Sequence, residues 1–457
     1  MKIFNSISSK KQDLVSIEKD KINLYVCGMT VYDDCHIGHA RTFISFDLFV
    51  RFFSYLGYKV NYVRNITDIE DKIIDKAKLE KVSFSEISDR FIFSMHHDFS
   101  KLNLLSPKFE PRASENLPEI LEMIEELEAK EFAYSIDGGD VYFDINSYED
   151  YGKLSKRKQK ELESGSRVEI DENKKNPNDF VLWKRSDEEP LFDSKWGKGR
   201  PGWHTECAVM IKTLFDGRLD IHCGGIDLKF PHHENESAQI EAIQKHNLSN
   251  YWLHAEHLNM DDEKMSKSLG NFIDVSTLIE KNGSDVVRLF LLSAHYRTKV
   301  SFSQKKLDEC KKMIEKIKRF AKNFKIDNKN IELKFSSEHE LFFDALNDDL
   351  NTPGAIGVFF SFISEMNKKI AENTINDADK EKSLVFLKLF NSIFDILDFN
   401  NLHDQNIPKE LQDLLVSRQE ARKNLDWKLS DSIRDKIESL GWQVEDTSSG
   451  QNLSKKK

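Results

Sequence analysis

The chain contains 457 residues, of which 39% are hydrophobic and 32% are charged, and it carries a formal net charge of −11. This length implies several domains. Its five cysteines show no paired spacing, and the sequence shows no signal-peptide pattern and no apolar run near the roughly eighteen residues of a membrane span. Composition therefore excludes a disulfide scaffold and a membrane protein, and it indicates a soluble protein of the reducing cytoplasm.

The first predicted unit is a strand, a polar turn and a helix. Residues 22–26 predict a buried strand, the turn carries His36 and His39, and the apolar spacing that follows predicts a helix beginning around Arg41. These are the parts of a mononucleotide-binding crevice, where backbone N–H groups and the helix dipole favour phosphates. Gly38 lets an adenine approach the backbone, and the imidazoles can donate hydrogen bonds to a triphosphate in the transition state. Helix capping by the two histidines is the structural alternative.

The next segments predict a second helix start and a polar insertion. The run Thr67-Asp68-Ile69-Glu70 fits a capping box, so Thr67 is either a helix N-cap or a substrate contact. Residues from about 110 to 198 are charged and loop-rich, with a helix predicted over 116–130 and a hairpin turned at 137–140. This segment is interpreted as an insertion between the two halves of a parallel sheet.

Residues 230–236 form the first half of a candidate metal site. Pro231 favours the first helical position, and the residues after it are compatible with a helix. His232 and Glu236 are then four residues apart and share one face, whereas His233 points about 100° away. A histidine and a carboxylate on one helix face are a typical pair of metal ligands.

Cysteine thiols are needed to complete this candidate site. Cys207 and Cys27 would give a set of two thiolates, one imidazole and one carboxylate, which suits zinc. Cys223 is an equally good thiol on spacing alone, and an inert buried cysteine is the ordinary alternative for all three. The spacing therefore leaves the ligand set open.

A lysine-containing loop follows at 264–268. Lys264 and Lys267 place two ammonium groups three residues apart on a polar loop that ends at Gly270. Such groups can screen the charge of a pyrophosphate leaving group without covalent chemistry. Considered without the histidine motif, this run also fits an ordinary solvated loop. Its order after His36 and His39 resembles the paired nucleotide-activating motifs of class I aminoacyl-tRNA synthetases.

The remaining sequence predicts helices and then a small last unit. A helical region begins near Asp285 and continues to about 400, and Pro408 interrupts the chain before the last unit. In that unit Ile433, Ile437 and Leu440 are expected to pack together. One earlier helix carries basic residues, each of which either contacts nucleic-acid phosphates or belongs to a solvated face. They are Lys305, Lys306, Lys311, Lys312, Lys316, Lys318, Arg319, Lys322 and Lys325.

Four stretches carry a closer resemblance, which extends over essentially the whole chain. They are residues 25–33, 65–68, 199–207 and 230–236, with the sequences YVCGMTVYD, NITD, GRPGWHTEC and FPHHENE. In these stretches the chain resembles cysteinyl-tRNA synthetases. The resemblance implies one zinc ion per chain, bound by Cys27, Cys207, His232 and Glu236.

The resemblance also implies roles for other residues. The implied catalytic residues are His36, His39, Lys264 and Lys267. The implied ATP site is formed by Met29, Thr30, Gly38, His39 and Lys267. The implied cysteine pocket is formed by Gly28, Thr67, Trp203 and Asp227. In the last unit, an aromatic face with arginines and carboxylates can stack on single-stranded bases and hydrogen-bond to them. The residues implied to read the anticodon GCA are Arg422, Trp427, Asp431, Arg434 and Asp446.

The expected fold is α/β: a Rossmann-type parallel-sheet catalytic core with an insertion, an α-helical bundle and a small C-terminal anticodon-binding domain. The expected catalytic domain is 1–270, with its insertion at about 110–198. A stem-contact region at 271–310, a bundle at 311–400 and a last domain at 401–457 are expected to follow.

The implied function is a cysteine–tRNA ligase reaction. A cytoplasmic monomer would activate L-cysteine with ATP and Mg²⁺ to cysteinyl-adenylate and transfer the acyl group to the 3′ end of tRNA(Cys). Two alternatives stay open. One is a cysteine ligase that acts on an amino sugar and lacks the anticodon unit, and the other is a non-catalytic RNA-binding paralogue that has lost motif residues.

Overall fold

The structure is a computed structural model. It describes residues 1–136, 139–157, 174–260, 263–264, 272–324, 336–399, 409–424, 426–447 and 450–455. Lys267 and part of the predicted turn at 137–140 lie outside these residues. The chain divides into two units, Met1–Ile396 and Leu397–Lys457.

The described residues form fifteen β-strands. In the first unit they are β1 Lys2–Asn5, β2 Lys10–Asp13, β3 Lys21–Val26, β4 Lys59–Arg64, β5 Ala133–Ser135, β6 Val141–Phe143, β7 Phe180–Arg185, β8 Gly199–Pro201, β9 Leu219–Gly225, β10 Ser249–Ala255, β11 Leu258–Met260, β12 Glu263–Lys264 and β13 Val300–Phe302. In the second unit they are β14 Trp442–Thr447 and β15 Gly450–Lys455.

The described residues also form fourteen α-helices. In the first unit they are α1 Ile37–Tyr55, α2 Asp71–Glu80, α3 Phe84–Lys101, α4 Leu117–Ala129, α5 Trp203–Phe215, α6 His232–Gln244, α7 Val275–Asn282, α8 Ser284–Leu292, α9 Gln304–Ala321, α10 Ser337–Asn347, α11 Thr352–Ala371 and α12 Asp377–Phe394. In the second unit they are α13 Lys409–Lys423 and α14 Trp427–Ser439.

A four-stranded parallel sheet forms the centre of the first unit. Its strand order is β10-β9-β3-β4, and every neighbouring pair is parallel. Strand β3 crosses over through α1 to β4 on one side, and β9 crosses over through α6 to β10 on the other. The strand order therefore reverses between β3 and β9, and the crevice at the carboxyl ends of such a pair is where ligands bind in open α/β sheets. The expected parallel-sheet core is confirmed.

The predicted insertion forms a small antiparallel sheet in the order β5-β6-β7-β8. Its predicted hairpin is confirmed as the pair β5–β6, and the helix predicted over 116–130 is α4, Leu117–Ala129. Apolar residues of the insertion, among them Met123 and Trp183, belong to one hydrophobic cluster with Tyr25 and Val63 of the central sheet. The insertion thus shares the core of the sheet.

Helices α8 to α12 confirm the helical region predicted from near Asp285. Phenylalanine rings fill the space between α11 and α12, and the rings of Phe359 and Phe390 stack with centroids 3.8 Å apart. Arg288 of α8 is fully buried and donates hydrogen bonds to the carbonyls of Leu102 and Phe394 and to the carboxylate of Asp47. This guanidinium joins α8 to α1, to the end of α3 and to α12.

The second unit has its own small core, made from α13, α14 and the antiparallel hairpin β14–β15. Ile433 and Ile437 are buried in it, as predicted, but the prediction for Leu440 was wrong because this side chain is 42% exposed. Leu440 is the C-cap of α14, and Gly441 then takes a positive φ of 80°. The helix thus ends at Ser439, and the Leu440 side chain does not join the buried face formed by Ile433 and Ile437.

Candidate active site and metal centre

The histidine motif follows the carboxyl end of β3. Helix α1 begins at Ile37, four residues before the expected start, with His36 as its N-cap. His36 Nδ1 accepts from the His39 N–H at 3.1 Å, His39 Nδ1 accepts from the His36 N–H at 3.4 Å, and the rings stack with centroids 3.5 Å apart. The two histidines therefore do cap helix α1, as the structural alternative predicted. Capping is also compatible with phosphate binding, because a neutral ring that accepts at Nδ1 carries its proton on Nε2.

The segment that follows the lysine loop lies against the histidine motif. The Ile37 N–H donates to the Ile273 carbonyl at 3.1 Å, and the Val275 N–H donates to the Cys35 carbonyl at 3.0 Å. The ring of Phe272 packs against the His36 ring edge to face, with centroids 5.9 Å apart. The backbone of Lys264 lies in β12, but its side chain, like all of Lys267, is outside the described residues. The described end of the loop is thus beside His36.

The four predicted metal ligands come together in the core. Their ligand atoms lie within 4.8 Å of one another, and all four residues, Cys27, Cys207, His232 and Glu236, are buried. The Cys27 and Cys207 sulfurs are 3.9 Å apart, and Glu236 Oε1 is 3.4 Å from the Cys27 sulfur and 2.9 Å from His232 Nε2. Two thiols, an imidazole and a carboxylate fit a tetrahedral zinc ion.

The charges in this cluster favour metal binding. A hydrogen bond from Cys27 lowers the pKa of the Cys207 thiol to about 6, against the effect of burial. Burial opposes a charge on His232, but the Glu236 carboxylate raises the pKa of His232 to about 10. Burial also raises the pKa of Cys27 well above its usual value. A buried thiolate, carboxylate and imidazolium are costly unless paired, and a divalent cation would replace the shared protons.

Cys223 is excluded from this cluster by the pleat of the sheet. Its partner in the ladder is Val26, whereas His222 pairs with Tyr25. Because successive side chains point to opposite faces of a sheet, Cys27 shares a face with Tyr25 and His222, and Cys223 points to the other face. Among the described residues, Cys223 belongs to neither of the two groups with metal-ligand spacing. Its thiol is buried, which raises its pKa.

A second group overlaps the first. It consists of Cys27, His222, His233 and Glu236. His222 Nε2 lies 2.6 Å from Glu236 Oε2, on the side of the carboxylate away from His232. Spacing in the sequence did not indicate His222, because it lies on β9 and only the sheet order brings it to Glu236.

Further histidines surround the cluster and were missed in the sequence. His204 Nδ1 lies 2.9 Å from His232 Nδ1, and His233 Nδ1 lies 2.9 Å from His254 Nε2. Burial lowers the pKa of His204 and that of His254 to about 3, so both rings are neutral. His204 contacts Nδ1 of His232, whereas Nε2 of His232 faces Glu236. The histidines come from separate elements, so no spacing rule identifies them.

The residues expected to surround cysteine lie next to the metal cluster or at the strand ends. The Gly28 N–H donates to Asn65 Oδ1 at 2.8 Å, and Asn65 Nδ2 donates to Thr67 Oγ1 at 3.2 Å. Trp203 stacks on the His232 ring with centroids 4.3 Å apart. Asp227 is exposed on the turn that follows β9. Asn65, which joins Gly28 to Thr67, was not singled out in the sequence.

The N-cap interpretation of Thr67 was wrong. The cap of α2 is Glu70, whose side chain accepts from the Lys72 N–H at 2.7 Å. Thr67 is buried instead, and its carbonyl accepts from the Val31 N–H at 3.2 Å. Its backbone therefore joins the segment after β4 to the segment after β3.

A Gly28→Ala substitution is expected to disturb the close packing between the ends of β3 and β4. The added Cβ would lie 1.8 Å from the Asn65 carbonyl oxygen, so the ends of β3 and β4 would have to separate. If Gly28 lines the cysteine pocket that the resemblance implies, KM for cysteine should rise by about tenfold or more, and stability should fall by about 1–3 kcal/mol. Gly357→Ala, at an exposed position of α11, is the control: its Cβ meets nothing within 4 Å, and it should stabilise the protein by about 1 kcal/mol. Unchanged cysteine kinetics in Gly28→Ala would contradict the close packing.

In the second unit, four of the five predicted anticodon residues, Arg422, Trp427, Asp431 and Arg434, lie on α13 and α14. The Arg422 guanidinium lies 5.5 Å from the centroid of the Trp427 ring, and Trp427 is 53% exposed. Arg434 and Asp431 form an ion pair at 3.8 Å. Asp446 lies on β14, but its side chain is outside the described residues. An exposed indole beside a guanidinium is a stacking surface.

Comparison with known proteins identifies the family. Residues 13–312 match the model of the class I (C) tRNA synthetase catalytic domain, and residues 341–399 match the DALR domain. The cysteine–tRNA ligase of Francisella philomiragia is 42% identical over 98% of this chain and 99% of that protein. That of Coxiella burnetii (strain Dugway) is 43% identical over 98% and 99%.

The chain belongs to the cysteine–tRNA ligase family. It is therefore an aminoacyl-tRNA synthetase of class I, as the resemblance implied.

Solved structures of other synthetases confirm the fold. Mycobacterium tuberculosis methionyl-tRNA synthetase with methionyl-adenylate superposes with a TM-score of 0.58 at 15% identity, over 86% of this chain and 94% of that one. A ternary complex of Agrobacterium radiobacter K84 LeuRS with tRNA and LeuAMS gives 0.60 at 12% identity, over 84% and 85%. Within the described part of this cysteine–tRNA ligase family member, no helix is both long and apolar enough to cross a membrane.

Proposed function

We propose that this chain activates L-cysteine with ATP at the crevice between β3 and β9, selects the amino acid with zinc, and charges tRNA(Cys). The observation that carries the proposal is the buried group Cys27, Cys207, His232 and Glu236, placed beside Gly28 and Trp203. Zinc analysis together with cysteine-dependent pyrophosphate exchange tests it.

Zinc suits the selection of cysteine over serine. The two amino acids differ by one atom, and a pocket that relied on shape would separate them by only about 1–3 kcal/mol. Zinc held by Cys27, Cys207, His232 and Glu236 would supply a Lewis acid that prefers the thiolate of cysteine, whereas a serine hydroxyl stays protonated and is a poor ligand. Trp203 would hold the His232 ring by stacking, and Gly28 and Thr67 would line the amino acid beside it.

Adenylate formation requires charge stabilisation and positioning. The cysteine carboxylate attacks the α-phosphorus of ATP, and pyrophosphate leaves. His36 and His39 would present Nε2–H donors to the phosphates, since each Nδ1 accepts a cap hydrogen bond. Lys264 and Lys267 would screen the leaving pyrophosphate, with Mg²⁺ bound to ATP. Met29, Thr30 and Gly38 would line the nucleotide.

Two features support tRNA as the acceptor. Helix α9 and its C-cap Lys322 expose basic residues that make no ion pair with a described residue, in contrast to Lys318, which pairs with Asp285. They are Lys305, Lys311, Lys312, Arg319 and Lys322. The second unit supplies an exposed tryptophan and arginine, which a ligase acting on an amino sugar does not need. We propose that this unit reads the anticodon GCA.

Removal of residues 401–457 is expected to separate the two half-reactions. Adenylate chemistry requires only residues of the first unit, so cysteine-dependent pyrophosphate exchange should stay within about twofold of the intact protein, while charging of tRNA should fall by about a hundredfold or more. Both rates are measured on the same preparations. Equal charging by the truncated and intact proteins would contradict the anticodon assignment and support the amino-sugar alternative.

A single substitution tests the stacking surface. Trp427→Ala should weaken tRNA recognition by about 1–3 kcal/mol, which is the usual contribution of one stacked base, and it should leave pyrophosphate exchange unchanged. Leu429→Ala is a matched control, because Leu429 is similarly exposed at 49% on the same helix but offers no ring. If kcat/KM for tRNA fell equally in both variants, the indole would have no specific role.

The proposal extends to the domain boundaries at 270, 310 and 400, to a monomeric state and to a cytoplasmic location. Sedimentation of the purified protein with and without tRNA tests the monomer.

A further inference from the structure

The side chain of Asn65 joins the ends of two neighbouring strands. Asn65 follows β4 directly, and its Oδ1 accepts from the N–H of Gly28, just beyond β3, at 2.8 Å. Its Nδ2 donates to the hydroxyl of Thr67 at 3.2 Å. Asn65 is 1% exposed and Thr67 is 2% exposed, so little water can compete for these bonds. One amide thus contacts two residues of the implied cysteine pocket.

The amide of Asn65 can point in only one direction. A backbone N–H only donates, so the atom that faces Gly28 must be the carbonyl oxygen of the amide. The NH₂ group then faces Thr67, and the threonine oxygen is the acceptor of that bond. The direction follows from Gly28 alone, and no titrating group takes part in it.

The backbone on either side of the Thr67 side chain is held by other hydrogen bonds. The Val31 N–H donates to the Thr67 carbonyl at 3.2 Å. The next residue, Asp68, is held because its carboxylate accepts from the Ser114 N–H at 3.0 Å. The Asn65 amide therefore determines the position of the Thr67 side chain rather than the path of the backbone.

A threonine side chain needs such a partner to keep its hydroxyl in one place. The side chain is branched at Cβ, and rotation about χ1 exchanges the positions of the hydroxyl and the methyl group. The two groups are similar in size, so packing alone separates these rotamers poorly. The Nδ2–H of Asn65 selects the rotamer that turns the oxygen towards it, because a methyl group in that place would leave a buried donor without a partner.

The Thr67 hydroxyl still has bonding capacity for a ligand. Among the described residues, Asn65 is its one hydrogen-bond partner, and Asn65 uses a single lone pair of the oxygen. A hydroxyl has two lone pairs and one hydrogen, so one lone pair and the hydrogen remain. Such a group can bond either to an ammonium or to a carboxylate, which together form the head group of an amino acid.

We propose that Asn65 is a positioning residue for the amino-acid substrate, which locks the Thr67 hydroxyl beside Gly28 so that it bonds to the head group of bound cysteine. Within the described chain, the hydrogen bonds of the Asn65 side chain reach neither the four proposed zinc ligands nor the histidine motif. Asn65 would therefore act on amino-acid binding and not on metal binding or phosphate chemistry. This inference rests on the proposed function for the identity of the substrate.

Steady-state pyrophosphate exchange separates these effects. Asn65→Ala should raise KM for cysteine by about threefold to tenfold, the usual effect of one lost hydrogen bond. It should leave kcat and KM for ATP within about twofold, since the lost bond contributes equally to substrate and transition state. The zinc content should equal that of the wild type.

Asn61→Ala is the matched control. Asn61 Nδ2 also joins β4 to β3 through a side-chain hydrogen bond, to Asn23 Oδ1 at 2.8 Å. It precedes Asn65 by four residues, which corresponds to about 13 Å along a strand. Its variant should therefore keep the wild-type KM for cysteine.

A double-mutant cycle with Thr67→Val identifies how Asn65 acts. Valine has nearly the shape of threonine but no hydroxyl, so Thr67→Val should raise KM for cysteine at least as much as Asn65→Ala. If Asn65 acts through that hydroxyl, the double variant should resemble Thr67→Val alone. A role of Asn65 in packing alone would instead multiply the two effects.

The rotamer itself can be measured in protein labelled with ¹³C and ¹⁵N. Three-bond couplings from the Thr67 methyl carbon to the backbone nitrogen and carbonyl carbon report χ1. They should indicate one rotamer in the wild-type protein and averaging between rotamers in Asn65→Ala. The wild-type measurement holds even if Asn65→Ala fails to fold.

Several results would overturn the inference. An averaged Thr67 rotamer in the wild-type protein would do so, and so would an unchanged KM for cysteine in folded Asn65→Ala. An equal rise in Asn61→Ala, or independent effects in the double-mutant cycle, would reduce Asn65 to a packing residue. A wild-type protein with one Thr67 rotamer but no cysteine-dependent pyrophosphate exchange would instead contradict the proposed function and leave the contact between Asn65 and Thr67 intact.

Discussion

Cys207→Ser is expected to abolish zinc binding and cysteine binding together, whereas the wild-type protein should hold about one zinc per chain. The Cys207 thiol lies 3.9 Å from that of Cys27 in a fully buried group. A serine hydroxyl does not ionise at neutral pH and cannot replace the thiolate, so the site loses a charged ligand and the metal dissociates. Metal analysis and equilibrium binding of cysteine measure the two losses.

Cys223→Ser is the matched control for this experiment. Cys223 is as deeply buried as Cys207, so both substitutions place a hydroxyl in the core and carry a similar cost in stability. Because Cys223 points to the other face of the sheet, its variant should keep zinc and cysteine binding. Zinc lost from Cys223→Ser but retained in Cys207→Ser would reverse the ligand assignment, and a wild-type protein without zinc would refute it.

His39→Ala and Lys267→Ala are expected to slow adenylate formation by about a hundredfold or more and to leave the affinity for cysteine nearly unchanged. Both groups would act on charge that spreads over the phosphates in the transition state, and such interactions affect the chemical step more than ground-state binding. Single-turnover pyrophosphate release measures the step, and cysteine binding is measured separately.

The capping box requires a control for His39. His39 Nδ1 accepts from the N–H of His36 at the start of α1, so alanine also removes a cap and should cost about 0.5–2 kcal/mol of stability. His39→Asn keeps a short side-chain acceptor for the cap but lacks Nε2. It should regain most of the stability, measured by denaturant unfolding, and stay as slow as His39→Ala. Recovery of the rate in His39→Asn, or a loss seen only as weaker cysteine binding, would assign His39 a structural role alone.

The sequence by itself determined the features that depend on neighbours along the chain. Helical periodicity placed His232 and Glu236 on one face, and their atoms lie 2.9 Å apart. Local turn and helix signals also located the β5–β6 hairpin and α4, because these elements form mainly from residues close in sequence. The order of the two nucleotide motifs and the four matching stretches indicated the family.

Local signals failed where several local structures fit the same residues. Thr67 matched a capping box, but Glu70 caps α2. The helix after β3 begins at Ile37, where His36 and His39 form a capping box, and not near Arg41. In both cases the sequence allowed more than one helix start.

The tertiary structure alone decided which distant side chains meet. Cys27 and Cys223 were equal candidates in the sequence, and the register of β3 against β9 separated them, since alternate residues of a strand point to opposite faces. His222 and His254 gave no signal because they lie far from the other cluster residues along the chain. The strand order β10-β9-β3-β4 brings them to the metal cluster, and a strand order depends on packing of the whole sheet rather than on any short run of residues.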